Sequence, residues 1–447
     1  MAGKPAMANY KGALKRVATA AFIFMLSNPL EFVIKGVVPG ADAISDPRTT
    51  RVIYSNVWLQ NSIKAAILGT LMLIIAFNVK AVRNILLRAP ILCLFAIYAL
   101  CSLRWSDTPS NSITDLTYLL TAICAGASMA VLYDSEDSAR VFAEAGLIIA
   151  VASVIMALFF PLYGLHQASE GNQAAHVGAW RGVYVHKNIL GQVMATFFVI
   201  YLFNGRELFR SRLLHLGTAG LALLLVLASR SASGLAIIAI SSAVYGFLFI
   251  LRGFPKLVAL AAMPLFLLTI SRSAGLLLSA LGRDENLSGR TDVWTAAYRV
   301  FMDQPWFGYG YGSATLGGLT VYIQTRLAAQ NTHNGYIDLA LSSGVIGSLL
   351  FYGAVGTAIY RAAQAWSRKG GDALFIRVFT IFLVSWAVAA FSETSLRPNT
   401  AMGAFGIMAI VLLCCLKPRG QVNRQYQGQR IPTGEAPSGS PQSLIYN

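Results

Sequence analysis

Residues 213–251 read LLHLGTAGLALLLVLASRSASGLAIIAISSAVYGFLFIL, with Arg230 as the single charged side chain. The runs 213–229 and 233–251 each approach the roughly 20 apolar residues that cross a hydrocarbon layer. Ser229-Arg230-Ser231 forms the tight turn between them. Similar blocks recur on both sides. The 447-residue chain is 56% hydrophobic and 12% charged, where a soluble domain carries about 25% charged residues. Lipid offers the backbone no hydrogen-bond partners, so continuous apolar blocks close on themselves as helices. A barrel would show short alternating strands instead. The expectation is an all-α polytopic membrane protein.

About 12 spans fit the pattern at roughly 20 residues each. They fall near 17–36, 58–78, 87–105, 113–133, 140–160, 188–204, 213–229, 233–251, 255–271, 336–360, 373–391 and 400–416. The basic start (Lys4, Lys11, Lys15, Arg16) followed by an apolar block resembles a secretory signal. The nearest small-residue site, Ala41-Asp42-Ala43, lies too far downstream, so an uncleaved first span is expected. With residues 1–16 in the cytoplasm, about 21 of the 35 lysines and arginines face inward, as the positive-inside rule requires. The net charge of +16 is therefore largely topological and does not call for nucleic acid. The tail 417–447 is rich in Gly, Pro, Gln and Ser and reads as a disordered cytoplasmic segment.

The remaining basic residues gather on the outer side, where orientation pressure depletes them. They include Arg181, Lys187, Arg230, Arg272, Arg283, Arg290, Arg299, Arg326 and Arg397. Each either anchors a helix end or pairs with a carboxylate; together they fit an anionic ligand. Arginine stays charged and grips phosphate oxygens through a planar fork, so Arg181, Arg230 and Arg290 are candidate diphosphate ligands.

One outer connector, 272–335, is far longer than the rest, and loops of that length are usually functional. A helix begins at Arg290-Thr291-Asp292-Val293-Trp294 and ends at Pro305. The turn-rich segment Pro305-Trp306-Phe307-Gly308-Tyr309-Gly310-Tyr311-Gly312 follows, then an amphipathic stretch near 314–329. The loop re-enters the membrane at Asn331-Thr332-His333-Asn334. His333 is either a hydrogen-bonded buried histidine or a general base, a role its intrinsic pKa near 6.5 suits. A shorter outer loop, about 162–187, holds His166, His176, Arg181, Tyr184 and His186. Trp180, Tyr184, Trp294, Trp306, Tyr309 and Tyr311 fit a sugar-stacking cleft or an interfacial aromatic belt, and taken singly each fits the belt slightly better.

There is no Asp-x-Asp, no P-loop and no zinc spacing, which argues against nucleotide-fuelled or metal-dependent chemistry. Cys93, Cys101, Cys124, Cys414 and Cys415 lie in or beside apolar blocks and read as small core hydrophobes.

Four segments resemble landmarks of the O-antigen ligase and polysaccharide polymerase superfamily of bacterial envelopes. They are Arg181-Gly182-Val183-Tyr184-Val185-His186-Lys187-Asn188, Ser229-Arg230-Ser231-Ala232-Ser233-Gly234, and Gly289-Arg290-Thr291-Asp292-Val293-Trp294 with the Gly-aromatic run after it. The fourth is His333-Asn334, nine residues, then Gly344-Val345-Ile346-Gly347, similar to the family's His-Asn/Ser-x9-Gly-x-x-Gly pattern. The resemblance implies an inner-membrane glycosyltransferase with its active side in the periplasm. It transfers a polyprenyl-diphosphate-linked oligosaccharide to an acceptor hydroxyl with no cofactor and no metal. It implies His333 and Arg290 as catalytic residues and Arg181, Arg230 and Arg290 around the diphosphate. Tyr184, Asn188, Trp294 and Asn334 are candidate glycan contacts. The His186-Lys187-Asn188-Ile189-Leu190-Gly191 segment looks more like the exopolysaccharide polymerases than the ligases that load lipid A core. A flippase and a chain-length regulator are implied partners. A transporter of anionic glycans is the alternative of another class; it would place ionisable residues near mid-membrane rather than at one surface.

Overall fold

The computed structural model describes residues 4–35, 57–168, 176–209, 211–252, 290–313, 332–367 and 372–416. These form an α-helical assembly, with a single isolated bridge, Leu165 to Trp180, as the only β-pairing among the described residues. In chain order the helices are α1 (Lys4–Leu26), α2 (Glu31–Lys35), α3 (Val57–Phe77), α4 (Val79–Leu86), α5 (Pro90–Cys101), α6 (Pro109–Leu132), α7 (Ser135–Phe159) and α8 (Pro161–Gly164). After them come α9 (Lys187–Leu208), α10 (Arg212–Ser229), α11 (Ala232–Tyr245), α12 (Arg290–Asp303), α13 (Gly335–Trp366), α14 (Ala373–Ala390) and α15 (Ala401–Cys414).

The starts follow local chemistry. Pro90 and Pro109 open α5 and α6, where a missing N–H costs nothing. Asp134, Ser211, Ser231 and Thr400 each accept a backbone N–H of the helix that follows, a cap worth about 1 kcal/mol.

Among the described residues seven helices are long and apolar enough to span a membrane, or up to eight if the bent pair of α3 and α4 counts as one. The expected 12 is therefore not reached among the described residues, and the differences have physical reasons. The axis turns by 100° between α3 and α4. The run near 400–416 yields a helix of 14 residues with every one buried. At about 1.5 Å per residue it is shorter than the bilayer core, and it meets protein rather than lipid. The run near 87–105 gives only the 12 residues of α5 before a 3₁₀ turn. The expected span 255–271, the amphipathic stretch 314–329 and the tail 417–447 lie outside the described residues.

The core centres on α9, which packs against α7, α10, α11, α14 and α15. Phe142 lies within 5.4 Å, centroid to centroid, of Phe197, Phe379, Phe382 and Phe405; such pairs add about 0.5–1.5 kcal/mol each beyond area burial. Small residues bring backbones together: a Cβ at Gly146 would meet the Phe197 ring at 2.3 Å, and one at Gly406 the Trp386 indole at 2.4 Å. Outward-facing leucines such as Leu213 and Leu73 are exposed, as a lipid-facing surface requires.

Helix α13 is broken at Gly344, whose backbone (φ 59°, ψ −169°) is not helical. The aromatic segment after α12 docks into the break. Val345 and Ile346 donate their N–H groups to the carbonyls of Pro305 and Trp306, at 2.8 and 3.2 Å. Tyr309 N–H donates to Leu341 O at 2.9 Å. The Tyr98 hydroxyl sits 2.7 Å from Ser343 O and 2.8 Å from Phe307 O. Irregular backbone at membrane depth survives only where protein satisfies it, and this segment does so. The Gly-x-x-Gly spacing thus has a structural cause: Gly344 adopts the forbidden backbone, and Gly347 makes room for the Tyr98 ring.

The loops 102–109, 176–186, 229–231, 305–313, 332–335 and 391–400 hydrogen-bond to helices and to one another at one end of the bundle. Lys15, Arg16, Arg88, Arg140 and Arg377, all expected on the cytoplasmic side, make their contacts at the other end.

Candidate active site

His333 occupies a left-handed backbone conformation, φ 49°, which costs a non-glycine residue about 1–2 kcal/mol. Its flanking residues hold it there. Asn334 caps α13, its side-chain oxygen accepting from Tyr336 N and Ile337 N at 3.0 and 3.2 Å. The Thr332 hydroxyl donates to the buried Asp338 carboxylate and accepts from Asn334 N at 3.3 Å. Trp294 donates its indole N–H to Thr332 O at 2.9 Å. Arg290 lies four residues before Trp294, one turn and about 6 Å back on the same face of α12. The sequence signals at 290–294 and 333–334 are therefore brought to one place.

His333 Nδ1 lies 3.3 Å from Oε2 of Glu393, in the α14–α15 connection. Asn188 Nδ2 donates to Glu393 Oε1 at 2.6 Å, and the Glu393 carbonyl accepts from Gly335 N at 3.0 Å. The His333 side chain is 32% exposed and that of Glu393 16%, so the histidine is partly exposed while the carboxylate is largely enclosed. Burial pushes the Glu393 carboxyl up, but the His333 hydrogen bond and charge, the His186 ring and the Asn188 amide together bring it below the ordinary carboxylate range.

Asn188 stands in the first turn of α9, whose cap is His186: Nδ1 accepts from Asn188 N at 3.2 Å. His166, His176 and His186 form a triangle of edge-to-face rings with centroids 5.2–5.8 Å apart. Burial pushes His186 down to about 3, although the Glu393 charge pulls the other way. It is therefore neutral at neutral pH, which suits its accepting role. Among the described residues no three His, Cys, Asp or Glu side chains are grouped to hold a metal ion.

The arginines divide. Arg181 is fully buried, its Nε and Nη2 donating to the carbonyls of Tyr163 and Leu162 at 2.7 and 3.1 Å. Through those carbonyls the guanidinium holds the loop together. Arg230 is exposed on a left-handed turn, φ 50°, and its carbonyl accepts from Lys187 Nζ at 3.3 Å, which sets the turn beside the start of α9. Tyr184 is 3% exposed and its hydroxyl donates to Ser27 at 3.1 Å. Asn334 is spent on its cap and Trp294 is half-buried against Thr332.

Sequence reasoning misses the acidic members. Glu393 carries no motif, and Arg397 stands in the sequence only as an outer cation. Arg397 pairs with Asp115 at 2.7 Å, and Asn399 donates to the other Asp115 oxygen at 3.1 Å. Burial opposes the Arg397 charge, but Asp115 and Asp338 hold its proton more firmly than usual. One helical turn along α6, Tyr118 lines an apolar cavity of about 340 Å³ between α1, α3 and α6.

The profile of the O-antigen ligase family matches residues 217–352, a stretch that includes Arg230, Arg290, His333 and the Gly344 break. The exopolysaccharide production protein ExoQ of Rhizobium meliloti (strain 1021) is 26% identical over 337 residues, covering 70% of this chain and 73% of the relative. With the helical fold and the landmark residues at one end of the bundle, these matches make the chain similar to the O-antigen ligases and to an exopolysaccharide production protein.

Proposed function

We propose that the protein is a polysaccharide polymerase of the bacterial inner membrane, acting at the periplasmic face. It transfers a polyprenyl-diphosphate-linked oligosaccharide onto the hydroxyl of another lipid-linked repeat and so extends an exopolysaccharide. The observation that carries this reading is His333, held partly exposed on a left-handed turn, one helical turn from Arg290 through the Trp294–Thr332 bond.

The chemistry balances without a cofactor. His333 takes the proton of the acceptor hydroxyl, and that oxygen forms a bond to the anomeric carbon of the donor. The anomeric C–O bond to the diphosphate breaks, and its electron pair leaves with the lipid diphosphate. A positioned base contributes roughly 10²–10⁴-fold, and fixed positive groups facing the departing charge usually lower the barrier further than any other single effect. Arg290 and the exposed Arg230 take that second role, while Arg181 positions the loop that carries His186 and Asn188. The cavity beside Tyr118 suits an apolar lipid tail. The grouping of basic side chains at the end opposite His333 supports a periplasmic active side. A flippase supplying the donor and a chain-length regulator are the partners such a reaction needs.

The test is donor turnover by the purified protein in lipid vesicles, read as release of polyprenyl diphosphate. Wild type releases it when acceptor is present, and His333→Ala does not. Equal release by His333→Ala overturns the assignment. Turnover with lipid A core alone turns the reading to a ligase.

A further inference from the structure

The residue that touches the proposed base comes from a part of the chain that neither the sequence landmarks nor the family match reaches. Glu393 lies 60 positions from His333, beyond the matched stretch 217–352. Three contacts fix it. Asn188 donates to Oε1 at 2.6 Å, Gly335 N donates to its carbonyl at 3.0 Å, and Oε2 faces His333 Nδ1 at 3.3 Å. The carboxylate is thus anchored on one oxygen by α9 and on its backbone by α13. Its second oxygen is left for the imidazole.

We propose that Glu393 is the positioning residue of His333: it holds the ring in the Nδ1–H tautomer, turns Nε2 toward the acceptor, and balances the imidazolium that forms when Nε2 takes the hydroxyl proton. An ionised carboxylate only accepts, so a ring hydrogen-bonded to it through Nδ1 must carry its proton there and present a lone pair on Nε2. The acceptor proton then has one destination, and the positive charge it creates meets a negative one that is already in place. Asn188, expected from the resemblance to contact the glycan, acts here through Glu393 instead. The inference rests on the transferase reading for its kinetics but not for its tautomer.

Two measurements on the full-length protein test it. The first is initial-rate kinetics with the lipid-linked repeat for wild type, Glu393→Gln and Glu393→Asp. The Gln variant keeps the shape and can accept the Asn188 amide on its own oxygen, but it loses the charge and the acceptor-only edge. Its kcat falls by up to about 10⁴-fold, the loss that follows when an orienting carboxylate becomes an amide, while the acceptor KM stays within about threefold. Glu393→Asp, which restores the charge, recovers part of kcat. The second is the ¹⁵N spectrum of histidine-labelled protein, with the His333 signal assigned by its loss in His333→Gln. Wild type shows the Nδ1–H form, and Glu393→Gln loses that preference. An Nε2–H tautomer in wild type overturns the inference, and so does a Gln variant with kcat within about threefold of wild type. A wild type that turns over no lipid-linked glycan yet shows the Nδ1–H ring sinks the transferase reading and leaves the His333–Glu393 pair standing.

Discussion

Replacing Gly344 by alanine tests how the broken helix is held. At φ 59° and ψ −169° the backbone is in a region almost reserved for glycine, and a side chain there costs roughly 1–3 kcal/mol. The new Cβ would also stand 2.3 Å from Trp306 O and 2.6 Å from Phe307 N. Both are backbone atoms, so no rotamer change relieves the contact and the 305–308 segment must lift. That weakens the bonds from Val345 and Ile346 to the Pro305 and Trp306 carbonyls, each worth about 0.5–1.5 kcal/mol net. The expected loss is about 2–6 kcal/mol, a fall in melting temperature of about 2–6 °C for a chain of this length. Gly356 on the same helix is the control. Nothing lies within 4 Å of its Cβ position, so Gly356→Ala stabilises by up to about 1 kcal/mol. Thermal unfolding of the purified protein in detergent, with both variants beside wild type, reads the difference. A Gly344→Ala protein that melts with wild type refutes the reasoning.

Thr332→Val removes the hydroxyl shared by Asp338 and Asn334 while keeping the side-chain shape; it lowers kcat at least about tenfold and Thr332→Ser restores it, as steady-state rates will show. Arg290→Lys keeps the charge but loses the planar fork, so donor KM rises and kcat falls, with Arg290→Ala worse on both counts. Acid destabilises the protein through two groups with lowered folded values. His186, at about 3 when folded against about 6.5 unfolded, contributes stability that is complete above pH 6.5 and is lost as pH falls toward 3. Glu393, also lowered, adds a loss that starts near the ordinary carboxylate value and continues below it. Melting temperature therefore drops between pH 7 and pH 5, and His186→Asn, which retains a capping side chain, flattens that drop.

Much of the helical layout was legible because its signals are local. Apolar runs mark α6, α7, α9, α10, α13 and α14, and Pro109, Ser211 and Ser231 mark where helices begin. The spacing from His333 to Gly344 was legible too, since a glycine-only backbone leaves a glycine in the sequence. Burial of charge was not. Arg181 and Arg230 look alike as letters, yet one is sealed against the carbonyls of Leu162 and Tyr163 and the other is exposed. The count of 12 spans is not confirmed, and at α15 the neighbours decide. The 14 residues of α15 are apolar because protein surrounds them, and the same letters read as a membrane crossing. Glu393 had no sequence signal at all. It sits in a short polar break between two apolar runs, and only the packing of α9, α13 and α14 brings it to His333.

The most direct test of the central claim is reconstitution of the purified protein in lipid vesicles with one lipid-linked repeat unit as both donor and acceptor, the products resolved by size. The account predicts a ladder of repeats from wild type and none from His333→Ala or Arg290→Ala at equal protein level. A wild-type protein that leaves a verified native repeat unextended, or a His333→Ala protein that builds the same ladder, contradicts it.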